Sequence, residues 1–215
     1  MSPILLALLA LLRSVVAPIP PAARSDPRFR LGYLVATYYP GVRSDGAGDS
    51  TAGLQSAIDD AYQHYQPPAV NCSLTVLLPS GTYTITDSLR AFVFQTWEPA
   101  KNKTHNPVGA HHVIVGSSVG GATRPVIRLS PDAKGFDQTA TPKAMLIYRN
   151  FAAVNDQGAA PVQPSDPMGI PTHFRDAPDS LFGDQLRHVD FHTGQHAGAT
   201  AVFFRAAQDA SVHEV

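Results

Sequence analysis

Four residues near the end of this sequence, His188, Asp190, His192 and His196, have types and spacing that could do chemistry. On one extended strand from Leu186 to Thr193, a period of two places His188, Asp190 and His192 on one face, opposite Val189 and Phe191. Imidazoles beside a carboxylate can bind a cation or a sugar. The plainer alternative is a hydrated outer sheet face. Carboxylates offer a second chemistry, because glycoside hydrolysis uses two of them, about 5 Å apart for retention or about 6.5–9.5 Å for inversion. The chain has two Glu, Glu98 and Glu214, and fifteen Asp. Asp59 and Asp60 fall on a helical pattern, and Asp45 and Asp49 in a turn, where capping and solvation are their simplest roles. No pair stands out, so the catalytic residues stay unassigned.

Other reactive arrangements are missing from the sequence. Cys72 is the only cysteine, which forbids an intrachain disulfide, and no Cys-His signature surrounds it. There is no Ser-His-Asp motif, nucleotide fingerprint or zinc spacing, so neither a cofactor nor a metal is implied. The GSSVGG run from Gly116 to Gly121 lacks the Lys-Ser/Thr ending and following helix of a phosphate loop and reads as a turn. Asn71-Cys72-Ser73 and Asn102-Lys103-Thr104 are acceptors for N-glycosylation. Trp97, Tyr83, Tyr148, Phe203 and Phe204 could stack on sugar rings, although an inward-facing Phe more often belongs to a core.

Composition sets the frame for these residues. Sixteen Lys and Arg against seventeen Asp and Glu leave a net charge of −1 over 215 residues, which excludes a nucleic-acid binder that works by neutralising phosphates. Only two Glu and four Lys occur, so straight-chain helix formers are scarce, while 19 Pro and 16 Gly supply turn chemistry. Ile4 to Leu12 is an apolar run of nine residues. As a helix it reaches about 14 Å, too short for a bilayer core of about 30 Å, so no membrane span is expected. It matches the apolar region of a secretory signal peptide, with Ala17 and Ala23 as cleavage positions, and places the protein outside the cell. The expected organisation is a signal peptide over 1–23, a linker and first strand over 24–38, and the folded body over 39–215.

Leu31 to Tyr39 reads as the first strand, followed by a Gly-Asp-Ser turn cluster. Leu54, Ala57, Ile58, Ala61, Tyr62 and Tyr65 then recur at helical spacing. Asp49 or Ser50 can cap this helix, and Pro67-Pro68 closes it. Downstream segments are short, β-branched and bounded by Gly, Pro, Asp or Ser: Leu74–Leu78, Thr82–Thr86, His112–Val115, Val126–Leu129, Ala144–Tyr148, Leu186–Phe191, Ala201–Phe204 and a last one from Ser211. One helix before many strands excludes a doubly wound fold and leaves a sandwich, a barrel or a solenoid. Leu186–Val189 and Val212–Val215 align 26 residues apart, a hint of the solenoid.

Gly41 to Ala61 (GVRSDGAGDSTAGLQSAIDDA) followed by Leu74 to Thr86 (LTVLLPSGTYTIT) resembles the opening of the pectate-lyase superfamily of right-handed parallel β-helices. Its Asp-Gly turn, Gly-Asp-Ser-Thr cap, Leu-Gln-x-Ala-Ile helix and Leu-Pro-x-Gly-x-Tyr strand occur here in the same order. His111–Ser130 and Leu186–Val215 are similar to later coils, and the start is similar to the N-terminal module of fungal exo-β-1,3-glucanases. The resemblance implies an all-β, right-handed parallel β-helix with one N-terminal capping α-helix. It implies a secreted polysaccharide-active protein, a glycoside hydrolase or polysaccharide lyase acting on a pectin-like polymer or a β-glucan. The alternative is a non-catalytic carbohydrate-binding or structural β-helix. In this family the catalytic carboxylates usually lie in later coils, and the abrupt Ser211–Val215 end reads as a truncation, so this stretch is expected to be inactive.

Overall fold

A computed structural model describes residues 19–63, 73–98, 103–105, 111–117, 123–153, 174–176, 183–205 and 209–215. Its elements are mostly short strands, as expected where β-branched runs are cut by turn residues. Among the described residues two helices, α1 (Pro21–Ser25) and α2 (Thr51–Gln63), and two 3-10 turns (Pro27–Leu31 and Ala36–Tyr38) precede or interrupt the first strands. The strands are β1 (Tyr33–Val35), β2 (Thr75–Leu78), β3 (Thr82–Ile85), β4 (Leu89–Glu98), β5 (Lys103–His105), β6 (Val113–Gly116), β7 (Val126–Leu129), β8 (Lys143–Ala153), β9 (Phe174–Asp176), β10 (Gln185–Arg187), β11 (Asp190–His192), β12 (Ala199–Phe204) and β13 (Ser211–His213).

The chain visits three sheets in turn. The first holds β1-β2-β6-β10-β13, the second β3-β7-β11, and the third β4-β8-β12. Every pairing along these three orders is parallel, and β5 and β9 add short antiparallel partners to β4 and β8. The registers align like with like. Leu34, Val76, Ile114, Leu186 and Val212 are successive partners across the first sheet, and the first four are buried. Tyr83, Ile127 and Phe191 line up in the second, and Leu89, Leu146 and Val202 in the third. These apolar columns, joined by Tyr148, Phe136 and Met145, make the core. The 26-residue alignment of Leu186 with Val212 is therefore a parallel strand pairing.

The starts of the second and third sheets are closed by residues that come early in the chain. Helix α2 buries Leu54, Ala57, Ile58 and Ala61 against the core. Its Gln55 also acts as a substitute strand. The side-chain amide donates to the Arg90 carbonyl at 2.8 Å, and the Arg90 amide donates to Gln55 Oε1 at 2.8 Å, so the free edge of β4 is paired in both directions. Thr51 Oγ1 accepts from the Thr86 amide, and the Ser50 amide donates to the Thr84 carbonyl, closing the edge of β3. Asp49 accepts from the Thr51 amide at 2.9 Å at the start of the helix.

Four local readings change. Strand Leu31–Tyr39 shortens to Tyr33–Val35, because 3-10 turns take up both flanks. Asp60 is not a solvating group; it is buried and accepts a hydrogen bond from the Tyr39 hydroxyl at 2.7 Å. β4, a ten-residue strand, was not foreseen over Leu89–Glu98, where apolar and polar residues do not alternate cleanly. The helical turn α1 was also not foreseen, and with it Ile19 and Ala23, inside the expected 1–23 leader, pack into the core.

Two outcomes follow for stability. Gln55→Ala leaves the Arg90 backbone edge unpaired and is expected to lower the unfolding free energy by about 1–3 kcal/mol in urea titration, whereas Ser56→Ala, one residue along on the exposed side of α2, changes it by less than about 0.5 kcal/mol. A chain starting at Arg24 lacks the buried Ile19 side chain and should be less stable, by about 2 kcal/mol, than one starting at Pro18.

Candidate functional site

The residues singled out by spacing do not share one strand. His188 adopts φ 55°, which ends β10 at Arg187 and turns the chain so that β11 begins at Asp190. The period of two therefore does not carry from His188 to His192. The close corner also fixes Gly116, since a Cβ there would run into the His188 carbonyl oxygen.

The four residues separate into three places. His188 joins a polar corner, with its Nδ1 2.7 Å from Glu214 Oε2. Arg124 bridges that carboxylate to Asp190: Nη2 lies 3.5 Å from Glu214 Oε2, and Nη1 lies 3.4 Å from Asp190 Oδ1 and donates to the Glu214 carbonyl at 3.0 Å. His213 stands edge-on to the His188 ring at 6.3 Å. Asp190 and His192 do share the outer face of β11, with Phe191 between them packed towards the core. His196 lies beyond β11, between Asp137 and the Ser130 carbonyl.

On the second sheet the outward residues form two rows. Thr82, Val126 and Asp190 are partners in one, and Thr84, Arg128 and His192 in the other. Arg128 lies along its row, donating from Nη2 to Thr84 Oγ1 at 2.9 Å and to the Gly46 carbonyl at 3.0 Å. His192 is exposed, as are Arg187 and His213, which are register partners on the first sheet beside the corner. The corner is thus a polar, solvated surface edged by exposed Arg and His side chains. Two carboxyl groups on one guanidinium are no more than roughly 9 Å apart, the upper end of the separations used by hydrolytic pairs. Asp190 and Glu214 are 49% and 44% exposed, however, which is the opposite of the apolar pocket that keeps a general acid protonated.

Among the aromatics, Tyr83 and Tyr148 are fully buried, Phe204 packs on Tyr148 at 4.8 Å, and Phe203 alone of these four is exposed. The side chain of Trp97 and residues Asn71, Cys72 and Asn102 lie outside the described residues. Among the described residues no group of three or more His, Cys, Asp or Glu could hold a metal ion.

One constellation escaped the sequence reading. His112 and Asp184, 72 positions apart, meet inside the protein with His112 Nδ1 3.8 Å from Asp184 Oδ1, and the His112 amide donates to that oxygen at 2.6 Å. Tyr62 stacks on the His112 ring at 4.9 Å, and Tyr148 meets it edge-on. Burial, together with the neighbouring His111, lowers the His112 pKa to about 3, and burial raises that of Asp184 to about 7. Both side chains are therefore neutral in the folded protein at mildly acidic pH. Their partnership depends on the β6–β10 register, for which no local signal exists.

Comparison with protein-family models, curated proteins and solved structures finds no match to this chain.

The buried pair predicts opposite pH slopes in two variants. Asp184 keeps its proton in the folded state up to about 7, well above its usual 3.8, so its contribution to stability falls as pH rises between those values. His112 stays neutral down to about 3 against 6.5 when unfolded, so its contribution grows with pH across that window. In the native protein the two slopes oppose each other from about pH 4 to 6.5. Asp184→Asn is expected to leave stability rising with pH there, and His112→Gln to leave it falling, as read by urea unfolding at stepped pH.

Proposed function

We propose that the chain forms rungs of a right-handed parallel β-helix and is a secreted polysaccharide-binding protein whose contact surface is the polar corner and the outer face of the second sheet. The cyclic visiting order of three parallel sheets and their in-register columns support the β-helix reading, and right-handedness is the general preference of parallel crossovers. One observation carries the binding reading: outward positions line up from strand to strand, Thr82, Val126 and Asp190 in one row and Thr84, Arg128 and His192 in the next, and strands about 4.8 Å apart offer regularly spaced contacts to a polymer. The exposed cationic and imidazole groups, Arg187, His192 and His213, favour a uronate-containing, pectin-like polymer over a neutral β-glucan. Sugar hydroxyls find donors and acceptors in Thr82, Asp190 and Glu214. Turnover is not expected, because Asp190 and Glu214 are ion-paired and half exposed rather than desolvated.

Affinity electrophoresis in gels containing polygalacturonate or laminarin tests this reading. The 215-residue chain should be retarded by polygalacturonate, less so at high salt, and Arg187→Ala and His192→Ala should each weaken retardation about two- to fivefold, the scale of exposed charge contacts. Retardation by neither polymer would reject the binding reading. Preference for laminarin would reject the acidic polymer, and release of new reducing ends or unsaturated uronates would reject the non-catalytic assignment.

A further inference from the structure

The turn between β11 and β12 is fastened to the preceding rung by a histidine whose two ring nitrogens both face acceptors. His196 Nδ1 lies 2.8 Å from Asp137 Oδ1, and Nε2 lies 2.8 Å from the Ser130 carbonyl oxygen. A neutral imidazole has one N–H, so it can satisfy only one of these oxygens; only the imidazolium donates to both. The imidazole is 7% exposed and the Asp137 carboxylate 65%, so the Ser130 side of the ring is the sheltered one and the Asp137 side opens to solvent. The surrounding backbone is equally close. The Gly198 amide donates to the Phe136 carbonyl at 2.8 Å, and a Cβ on Gly198 would overlap the Gln138 backbone.

We propose that His196 is a pH-operated clasp: protonated, it ties the 193–198 turn to the 130–138 loop through both nitrogens, and deprotonated, it releases one of the two. The charged groups around it are few. Asp137 faces the ring directly, and Phe136 packs beside it at 6.2 Å. Lys143 lies over the Phe136 ring at 4.4 Å, but its charge is held by Asp87 at 2.7 Å and by the Lys134 carbonyl at 3.2 Å. Asp132 and Lys134 are the remaining charged residues of the loop, both exposed, and His192 ends the strand before the turn. The Ser130 carbonyl first, then Asp137, hold the His196 pKa above its usual 6.5. A group whose pKa is raised by folding contributes stability below its unfolded pKa and loses it as pH rises through the folded one. The clasp is thus closed in acid and loosens as pH rises through the raised His196 pKa. Because the turn follows β11 directly, its closure also fixes the strand carrying Asp190 and His192, whatever those residues bind.

Histidine titration by NMR and amide exchange on the whole chain test the clasp. In the native protein His196 should titrate above pH 6.5, and the protection factor of the Gly198 amide should fall up to about tenfold between pH 6 and 9, the value of one hydrogen bond. Asp137→Asn should lower the His196 midpoint, and His196→Gln should make Gly198 protection independent of pH. A native midpoint at or below 6.5, or native Gly198 protection that is the same at pH 6 and 9, overturns the proposal; the Asp137→Asn arm decides the cause should the Gln variant fail to fold.

Discussion

The first strand of a parallel sheet leaves a row of amides and carbonyls that must find partners elsewhere. In this protein two such edges are closed within one early stretch of chain, while β1 is the first strand of the first sheet. The Ser50–Thr51 backbone and side chain cover β3, and Gln55 covers β4. Both closures lie on or just before the helix whose other face buries Leu54, Ala57 and Ile58. Apolar packing therefore places the helix, and the helix places the hydrogen-bond partners. Once the first strands are fixed, each later strand can add only in a register that continues the apolar columns, because a slip by one residue would exchange buried for exposed side chains.

That constraint also shapes the surface. Where inward residues form columns, outward residues form rows, and turns between sheets come into close contact. At one corner the approach is so close that Gly116 has no room for a side chain, and the residue opposite, His188, takes a left-handed conformation that costs a non-glycine residue roughly 1–2 kcal/mol. That turn sets the His188 imidazole beside Glu214, which Arg124 links to Asp190. The polar corner thus arises from the need to turn the chain between sheets, and its chemistry is built on that turn.

The same logic explains what could be read from the sequence. Val126–Leu129 is a strand at the expected bounds, and the helical stripe from Leu54 to Ala61 faces the core, because both depend on local periodicity. The 26-residue spacing of Leu186 and Val212 was legible because the two are partners on adjacent parallel strands. Leu186–Phe191 was not legible as two strands, since nothing local marks a histidine rather than a glycine as the bend. β4 lacked a clean alternation, and its identity comes from partner β8, more than fifty residues away. His112 and Asp184 lie further apart still, and only the stacking of β6 on β10 brings them together.

The two clusters of ionisable groups illustrate why binding is the better reading for the exposed one. Acid–base catalysis needs a group that is both reachable and shifted by its surroundings towards the working pH. Asp184 is shifted strongly, yet it has no exposed surface and sits against His112 beneath stacked Tyr62. Asp190 and Glu214 are reachable, yet water and Arg124 surround them, so the apolar setting that separates an acid from a base is missing. Burial has gone to the pair beside the β6–β10 pairing, and exposure to the pair that faces outward. Under the proposed binding role, a solvated array of Thr, Arg, His and carboxylate groups at strand spacing would recognise a polymer through many weak contacts, each modest alone and additive along its length.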